Sequence, residues 1–236
     1  MTAVTILIAF IEGKVLSVNL LELINSRFVI FDGAMGTMLQ AEGLKAGQLP
    51  ESYNILHPDI IYNIHRKYVE AGADIITTNT FGANELKLKD SPYSVRQIIN
   101  EAVKIVKKAA AAENKFVALD IGPLGQMMEP VGTLGFEEAY SLFKNQVQAG
   151  EEAGVDLILI ETISDLYEAK AAVLAAKENS SLPVFCTLSF EGNGRTLTGT
   201  DPITMVNVLE GLGVDALGVN CSLGPKEISP ILDEIL

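Results

Sequence analysis

The chain has 236 residues, of which 48% are hydrophobic and 20% are charged, and its formal net charge at neutral pH is −13. This composition is typical of a globular domain with a sizeable core. The excess of acidic residues argues against binding to nucleic acid or to an anionic membrane surface. Two cysteines in a chain of this length do not make a disulfide framework, so we expect a cytoplasmic protein.

An apolar stretch lies near the N-terminus, over residues 3–11. It is shorter than the ~20 residues that a membrane-spanning helix needs. It also lacks the basic start and the small-residue cleavage site of a signal peptide. We therefore interpret residues 1–19 as an atypical N-terminal extension and residues 20–236 as the domain itself.

Short apolar segments alternate with amphipathic segments along the rest of the chain. Each apolar segment is nearly continuous in hydrophobic residues, which is typical of parallel strands covered on both faces. The predicted strands cover residues 27–32, 74–78, 116–120, 156–161, 183–188 and 216–220. The predicted helices cover about residues 58–71, 94–113, 136–153, 166–178 and 202–212, and a further helix follows the last strand.

Capping residues support these boundaries. Asp165 and Asp201 are predicted helix N-caps. Gly72, Gly154 and Gly213 each follow a helix and precede a strand by two residues, as C-capping glycines do. Six βα units predict an α/β fold with a parallel sheet. A doubly wound sheet and a barrel both fit this pattern, and an eight-unit barrel of roughly 250 residues or more would need two further units.

Polar residues and glycines gather at the predicted carboxyl ends of the strands, where a parallel barrel has its active site. Carboxylates, amides, hydroxyls and one thiol follow otherwise apolar segments. A structural rim would also contain polar caps, but the combination of these groups points to a functional site. The segments are residues 32–37, 78–82, 120–123, 161–162, 189–190 and 220–222.

Several of these segments, in this order, resemble the homocysteine S-methyltransferase family, and most of all the homocysteine-binding module of cobalamin-dependent methionine synthase. Several long motifs in one order are more specific than one short motif. The resemblance covers about residues 20–236 and implies a (β/α)8 TIM barrel, here truncated after about six βα units. The motifs are residues 31–40 (Phe-Asp-Gly-Ala-Met-Gly-Thr-Met-Leu-Gln), 71–84, 120–125, 160–162, 194–201 and 218–222 (Gly-Val-Asn-Cys-Ser).

The resemblance implies a zinc-dependent methyltransferase of methionine biosynthesis, in which homocysteine is bound to zinc as a thiolate and methylated to methionine. In the family, the cysteine that corresponds to Cys221 is one of three zinc ligands, and a later pair of adjacent cysteines supplies the others. A catalytic zinc keeps an open position for substrate, and a metal-bound thiol is deprotonated. Cys221 is therefore the expected catalytic and metal-binding residue.

The resemblance also implies a set of substrate-binding residues. Glu161 corresponds to the carboxylate that binds the amino group of homocysteine, and a carboxylate forms a charge-assisted hydrogen bond with an ammonium group. The main-chain amides of Gly33 and Ala34 correspond to those that bind the substrate carboxylate. The remaining positions are near the substrate or next to the metal ligand, and they are Asp32, Asn79 and Asn220.

The expected partners follow from the same resemblance. Homocysteine is the substrate, while cobalamin and methyltetrahydrofolate would act only through modules outside these residues, with a corrinoid-binding module or protein as partner. The later cysteine pair is not present in the 236 residues, so Cys221 alone cannot complete a three-thiolate site within one copy of the chain.

Two alternatives remain open at this point. The first is a non-catalytic or metal-free remnant of the homocysteine-binding barrel, which would bind homocysteine in the presence of a chelator. The second is another (β/α) barrel enzyme, such as a pterin- or phosphate-binding one, which would need a phosphate-binding loop after strands seven and eight. Cys186, inside an apolar strand, is expected to be a core residue, and His57 and His65 to be structural or surface residues.

Overall fold

The structure is a computed structural model that describes residues 6–9, 18–113 and 115–236. Most of the predicted N-terminal extension therefore lies outside the described residues. The described strands form one sheet, in which the last five run parallel and the first pairs antiparallel with the last. The strands are β1 (Ile6–Ala9), β2 (Ile75–Thr77), β3 (Phe116–Ile121), β4 (Leu157–Ile163), β5 (Val184–Leu188) and β6 (Ala216–Val219). Their order across the sheet is β1-β6-β5-β4-β3-β2.

Helices connect the parallel strands, and all five helices that were predicted with boundaries are present. Three short helices before residue 57 were not predicted, because segments of nine, seven and four residues show little of a helical period. The helices of the described residues are α1 (Val18–Ser26), α2 (Met35–Ala41), α3 (Tyr53–Leu56), α4 (Pro58–Glu70), α5 (Val95–Ala110), α6 (Phe136–Ala153), α7 (Leu166–Asn179), α8 (Pro202–Gly211) and α9 (Pro225–Ile235).

The predicted caps are confirmed at both ends of the helices. The carboxylate of Asp165 accepts a hydrogen bond from the N–H of Tyr167, and Asp201 accepts one from Thr204. Gly154 ends α6 with φ +82°, a left-handed conformation that glycine adopts without a steric penalty. These local signals set the spacing between each helix and the strand beside it.

The first predicted strand, residues 27–32, differs from the prediction. Only Phe31 forms a parallel bridge, with Ile75 of β2. The N–H of Ile30 donates to the side chain of Asp74 at 3.0 Å, in place of a main-chain carbonyl. Arg27 binds the same carboxylate through both guanidinium nitrogens, at 2.8 and 2.7 Å. These hydrogen bonds to the Asp74 side chain interrupt the regular hydrogen-bond ladder between the segment and β2. The segment still runs along β2, so Asp32 lies at the end of the sheet.

The sheet packs on both faces, which explains why the strand segments are almost continuously apolar. One face packs against the helices in a large core cluster that includes Ile158 and Ile160 of β4. The other face forms a second cluster, in which Leu157 and Leu159 of β4 pack near Leu20 of α1. Side chains of a strand alternate between its two faces. The parallel strands thus have an interior and an exterior, as in part of a (β/α) barrel.

His65, in α4, has an unusual environment. It is fully buried, and neither ring nitrogen has a hydrogen-bond partner among the described residues. Burial lowers the pKa of His65 from 6.5 to about 3. The unfolded state therefore binds a proton more readily than the folded state. Neutral His65 therefore makes a contribution to the free energy of unfolding that is fully present above about pH 6.5. This contribution is lost as the pH falls towards 3, by up to ~1.4 kcal/mol per pH unit.

We expect the free energy of unfolding of His65→Leu to fall less between pH 7.5 and pH 5 than that of the wild type. Urea unfolding at several pH values measures the difference. His57→Gln is a matched control, because it removes the other histidine of the chain at an exposed position. Equal pH dependence in His65→Leu and the wild type would contradict the expectation.

Candidate functional site

A cavity of about 250 Å³ opens at the carboxyl ends of the parallel strands. The structure brings all of the predicted site residues together in its lining. They are Asp32, Gly33, Ala34, Asn79, Glu161, Asn220 and Cys221. These residues come from four separate segments, namely residues 27–34 and the carboxyl ends of β2, β4 and β6, so their proximity is produced by the sheet and not by the sequence spacing.

The alternation of side chains along the strands gives the cavity an apolar floor and an acidic rim. On β4 the interior positions are Leu157, Leu159 and then Glu161. On β3 the interior residue Ala118 is followed two positions later by Asp120. Each carboxylate therefore extends over the interior cluster, where little water screens its charge.

Asp32 is held by β2. Its carboxylate accepts hydrogen bonds from the N–H and from the hydroxyl of Thr77, both at 3.0 Å. Burial raises the pKa of Asp32 to about 8, although both bonds from Thr77 oppose that shift. The next residue, Gly33, passes close to Tyr68, and a Cβ at this position would lie 2.9 Å from its ring. A side chain at this position would displace the Tyr68 ring, and glycine avoids that contact.

The Gly33-Ala34 segment leads directly into α2. In the described residues no side chain caps the first turn of this helix. Main-chain N–H groups at the start of a helix have no intrahelical partners, and they favour a negatively charged ligand. The start of α2 is therefore suited to a carboxylate, while Asp120 and Glu161 make another part of the lining acidic.

Asn220 connects three strand ends through its side-chain amide. Its Oδ1 atom accepts from the N–H of Thr162 and from the hydroxyl of Thr187, both at 3.0 Å. Its Nδ2 group donates to Thr162 Oγ1 at 2.8 Å and to Glu161 Oε2 at 3.3 Å. Burial raises the pKa of Glu161 to about 7. The amide thus fixes the orientation of the carboxylate that faces the cavity.

Cys221 lies at the edge of the cavity in a left-handed conformation, with φ +57°. Thr162 and Ser222 also have positive φ, +62° and +45°. Such values are uncommon outside glycine, particularly for a β-branched residue, and they concentrate at functional sites. The Cys221 sulfur is 3.5 Å from both Thr162 Oγ1 and Asn220 Nδ2. Burial is the main factor that raises the pKa of the thiol.

The sequence did not single out two further acidic residues of the cavity. Asp120 was visible only as one of several polar strand ends. Glu51 lies in a 3-10 turn before α3, which gives no periodic signal, and its carboxylate accepts from the N–H of Gly82 at 2.6 Å. Thr162 is part of one of the motifs, but the sequence assigned it no role. Its left-handed backbone conformation could not be predicted from the sequence.

Asn79 lines the cavity, but its side chain is partly committed to local structure. Its Nδ2 group donates to the carbonyl of Pro50 at 2.8 Å and to Asn54 Oδ1 at 3.2 Å. Asn54 in turn donates to the main-chain carbonyl of Asn79 at 2.8 Å. These bonds hold the loop after β2 against the turn that carries Glu51, and so shape one wall of the cavity.

A second cavity, of about 320 Å³, lies on the helical side of the molecule. Residues at the start of α5 and in α6 line it, including Arg96 and Asn145. It is larger than the first cavity, but it is remote from the strand ends and from the clustered carboxylates. The site with chemically suitable groups is therefore the cavity at the strand ends.

Within the described residues, no group of three or more His, Cys, Asp or Glu side chains is arranged to hold a metal ion. Cys221 reaches the cavity, whereas Cys186 is fully buried, where burial raises its pKa to about 12. Cys186 is thus a core residue, as predicted. A catalytic zinc takes three protein ligands. The described residues fit one of these ligands and do not form a zinc site by themselves.

Comparison with known proteins agrees with this geometry. The model of the family described as Homocysteine S-methyltransferase matches residues 29–236. The chain belongs to the homocysteine S-methyltransferase family. It is 32% identical over 229 residues to methionine synthase from Mycobacterium tuberculosis and to methionine synthase from Mycobacterium leprae. Each match covers 89% of this chain and 19% of the relative, so the chain spans about a fifth of these methionine synthases.

Solved structures of the family share the fold. The apo form of the homocysteine methyltransferase MmuM from Escherichia coli has a TM-score of 0.73 and 24% identity, and the match covers 90% of this chain and 79% of MmuM. Its metallated form has a TM-score of 0.72 and 20% identity, over 81% and 74% of the two chains. The predicted family and the barrel-type fold are thus confirmed. None of the described helices is long and apolar enough to cross a membrane.

Proposed function

We propose that the chain is the homocysteine-binding part of a zinc-dependent homocysteine S-methyltransferase of the methionine synthase type, acting in the cytoplasm. The observation that carries this proposal is the polarity of the cavity. The uncapped start of α2 lines the cavity together with the carboxylates of Asp32, Asp120 and Glu161. An α-amino acid carries one carboxylate and one ammonium group, so this arrangement fits its two charged ends.

The residues divide between the two ends of the substrate. The amides of Gly33 and Ala34 bind the substrate carboxylate, and Glu161 binds the ammonium group. Asn220 holds Glu161 in position and contacts the Cys221 sulfur. The side chain of homocysteine then extends towards Cys221, which places its thiol at the edge of the cavity, where a methyl donor has access.

Cys221 is proposed as one zinc ligand, with the other ligands supplied by polypeptide outside these 236 residues. When bound, zinc supplies Lewis acidity that keeps the homocysteine thiol ionised at neutral pH. The part played by the described residues is to bind and align the amino acid, and alignment of reacting groups is itself a large contribution to rate. The methyl donor would arrive on a corrinoid- or folate-carrying module, as in a methionine synthase.

Replacement of Glu161 by Gln tests the assignment of the ammonium side. We expect Glu161→Gln to weaken homocysteine binding by ~1.5–3 kcal/mol, because a hydrogen bond to a charged group is lost while the shape of the side chain is retained. Isothermal titration calorimetry of the 236-residue chain, with reduced homocysteine and a chelator, measures the affinity. Glu178→Gln, remote on α7, is the control. Unchanged affinity in Glu161→Gln would remove Glu161 from the site.

The zinc assignment needs a separate measurement, in the longer polypeptide that carries the remaining ligands. We expect Cys221→Ala to abolish stoichiometric zinc binding, measured by metal analysis after dialysis. Cys186→Ala is the matched control, since its thiol is buried in the core and should not affect zinc content. Full zinc content in Cys221→Ala would show that this cysteine is not a ligand.

The alternative function is a metal-free homocysteine-binding barrel. The finding that favours it is the single cavity thiol among the described residues. The two proposals agree on homocysteine binding and differ only in the zinc measurement. Homocysteine binding in the calorimeter, together with a longer polypeptide that holds no zinc, would establish this alternative.

A further inference from the structure

A β-bulge interrupts the carboxyl end of β4. Ile160 pairs with Cys186 of β5, and the next recorded pair joins Ile163 to Leu188. Over this interval β4 therefore contains one residue more than β5. Bulges of this kind change the direction of a side chain, and they are frequent next to active sites.

The bulge changes the face of the sheet on which Thr162 lies. Ile160 and Ile163 both pack in the core cluster beneath the helices. In a regular strand Thr162 would share the face of Ile160, because side chains alternate. Instead its φ is +62°, and its Oγ1 atom lies 3.5 Å from the sulfur of Cys221, which lines the cavity. This conformation is costly for a β-branched residue, and such strain concentrates at functional sites.

The direction of the hydrogen bond between Thr162 and Cys221 follows from its neighbours. The main-chain N–H of Thr162 donates to Asn220 Oδ1 at 3.0 Å, which fixes the orientation of that amide. The Nδ2 group of Asn220 therefore faces Thr162 Oγ1, to which it donates at 2.8 Å. Because Oγ1 accepts this bond, its own proton is free, and its other partner among the described residues is the Cys221 sulfur. The hydroxyl thus donates to the sulfur.

The amide of Asn220 is a second donor near the sulfur, but it is shared. Its Nδ2 group has two N–H bonds and three acceptors within reach. These are Thr162 Oγ1 at 2.8 Å, Glu161 Oε2 at 3.3 Å and Cys221 Sγ at 3.5 Å. One N–H is taken by Thr162, and the other lies between the carboxylate and the sulfur. Among the described residues, the Thr162 hydroxyl is therefore the donor that serves the sulfur alone.

We propose that Thr162 is a positioning residue for Cys221, and that its hydroxyl fixes the orientation of the sulfur as a metal ligand. This inference rests on the proposed function, because it takes Cys221 to bind zinc. A metal-bound cysteine is a thiolate without a proton of its own, so it accepts the hydrogen bond that Thr162 donates. Partners of this kind hold metal ligands in place, and their loss lowers metal affinity by about 10- to 100-fold.

Three variants of Thr162 test the inference in the longer polypeptide that carries the remaining ligands. Thr162→Val keeps the branched shape without the hydroxyl, and we expect its zinc affinity to fall about 10- to 100-fold. Thr162→Ser restores the hydroxyl and should return the affinity close to that of the wild type. Thr162→Gly suits the left-handed backbone, so it should fold at least as stably as the wild type and yet lose zinc affinity as Thr162→Val does. Competition with a chromophoric zinc chelator measures the affinities.

A second measurement separates an effect on the sulfur from an effect on the amino-acid pocket. Calorimetry of the 236-residue chain with homocysteine and a chelator reports on the pocket without zinc. We expect the zinc affinity of Thr162→Val to fall by a larger factor than its homocysteine affinity. Thr196→Val is the control, because its buried hydroxyl accepts from the N–H of Thr200 at 3.1 Å and does not contact the sulfur. Its zinc affinity should equal that of the wild type.

The outcomes distinguish this inference from the proposed function. Unchanged zinc affinity in Thr162→Val, or no recovery in Thr162→Ser, overturns the role of the hydroxyl and leaves Cys221 as a ligand. Equal losses of zinc and homocysteine affinity in Thr162→Val would mean that Thr162 supports the pocket as a whole, which also overturns the inference. A wild-type polypeptide that holds no zinc overturns both the zinc assignment and the inference.

Discussion

Phe185→Ala is expected to lower the free energy of unfolding by ~3–5 kcal/mol, because a fully buried aromatic side chain is lost and a void remains. Phe185 is 1% exposed in the interior cluster, where it pairs with Leu159 of β4, a residue that lines the cavity. Its ring meets that of Phe31 edge to face, with centroids 6.4 Å apart. Since Phe31 precedes Asp32, the void should also loosen the segment whose amides are proposed to bind the substrate carboxylate.

Urea unfolding of Phe185→Ala and homocysteine titration of its folded form measure the two effects. Phe143→Ala is the matched control, since Phe143 is 0% exposed but lies in the cluster between the sheet and the helices. We expect a similar loss of stability in both variants, and weaker homocysteine binding only in Phe185→Ala. Equal homocysteine affinity in the two variants would mean that the interior cluster does not support the site. If Phe185→Ala does not fold, Phe185→Leu offers the same comparison with a smaller void.

Asn220→Ala is expected to cost ~2–4 kcal/mol of stability and most of the homocysteine affinity. Removal of the amide leaves the N–H of Thr162 and the hydroxyl of Thr187 buried without their acceptor, and each such group costs about 1–3 kcal/mol. Glu161 loses its donor at the same time and is no longer fixed. Binding should therefore weaken more than the loss of one direct hydrogen bond would predict, because two neighbouring groups are disordered together.

The comparison for this variant is Asn179→Ala, at the end of α7. That amide also makes two hydrogen bonds, to Tyr140 and to the carbonyl of Ala175, but it is remote from the cavity. We expect a smaller loss of stability and unchanged homocysteine affinity. Asn220→Ala with near wild-type stability would contradict the network described for this residue, and the unfolding curves decide between the two outcomes.

Much of the fold could be predicted because its signals are local. Capping residues such as Asp201, and glycines such as Gly154, mark helix ends within a few residues of sequence. The strand ends could be located in the same way, which brought Glu161 and Cys221 into one expected site. The first strand was less predictable, because its ladder is interrupted by the Arg27–Asp74 pair, which are far apart in the chain.

The finer features of the site required the structure. One carboxyl oxygen of Asp120 has no hydrogen-bond partner among the described residues. This could not be predicted, because the surroundings of that oxygen come from several segments of the chain. The role of Glu51 depends on the loop of Gly82 folding back over it. The roles of the individual site residues in binding stay predictions, and the variants described above test them.

The left-handed residues around the Cys221 sulfur have a consequence for the stability of the chain as a whole. Holding Thr162, Cys221 and Ser222 at positive φ costs about 1–3 kcal/mol each, and the large core beneath the helices offsets this cost. Glycine at Thr162 or Ser222 would relieve that strain. Selection for heat resistance alone would therefore favour such replacements, and the most thermostable descendants of this chain would hold the cysteine sulfur least firmly. At this strand end, greater stability would therefore come with a less firmly held cysteine.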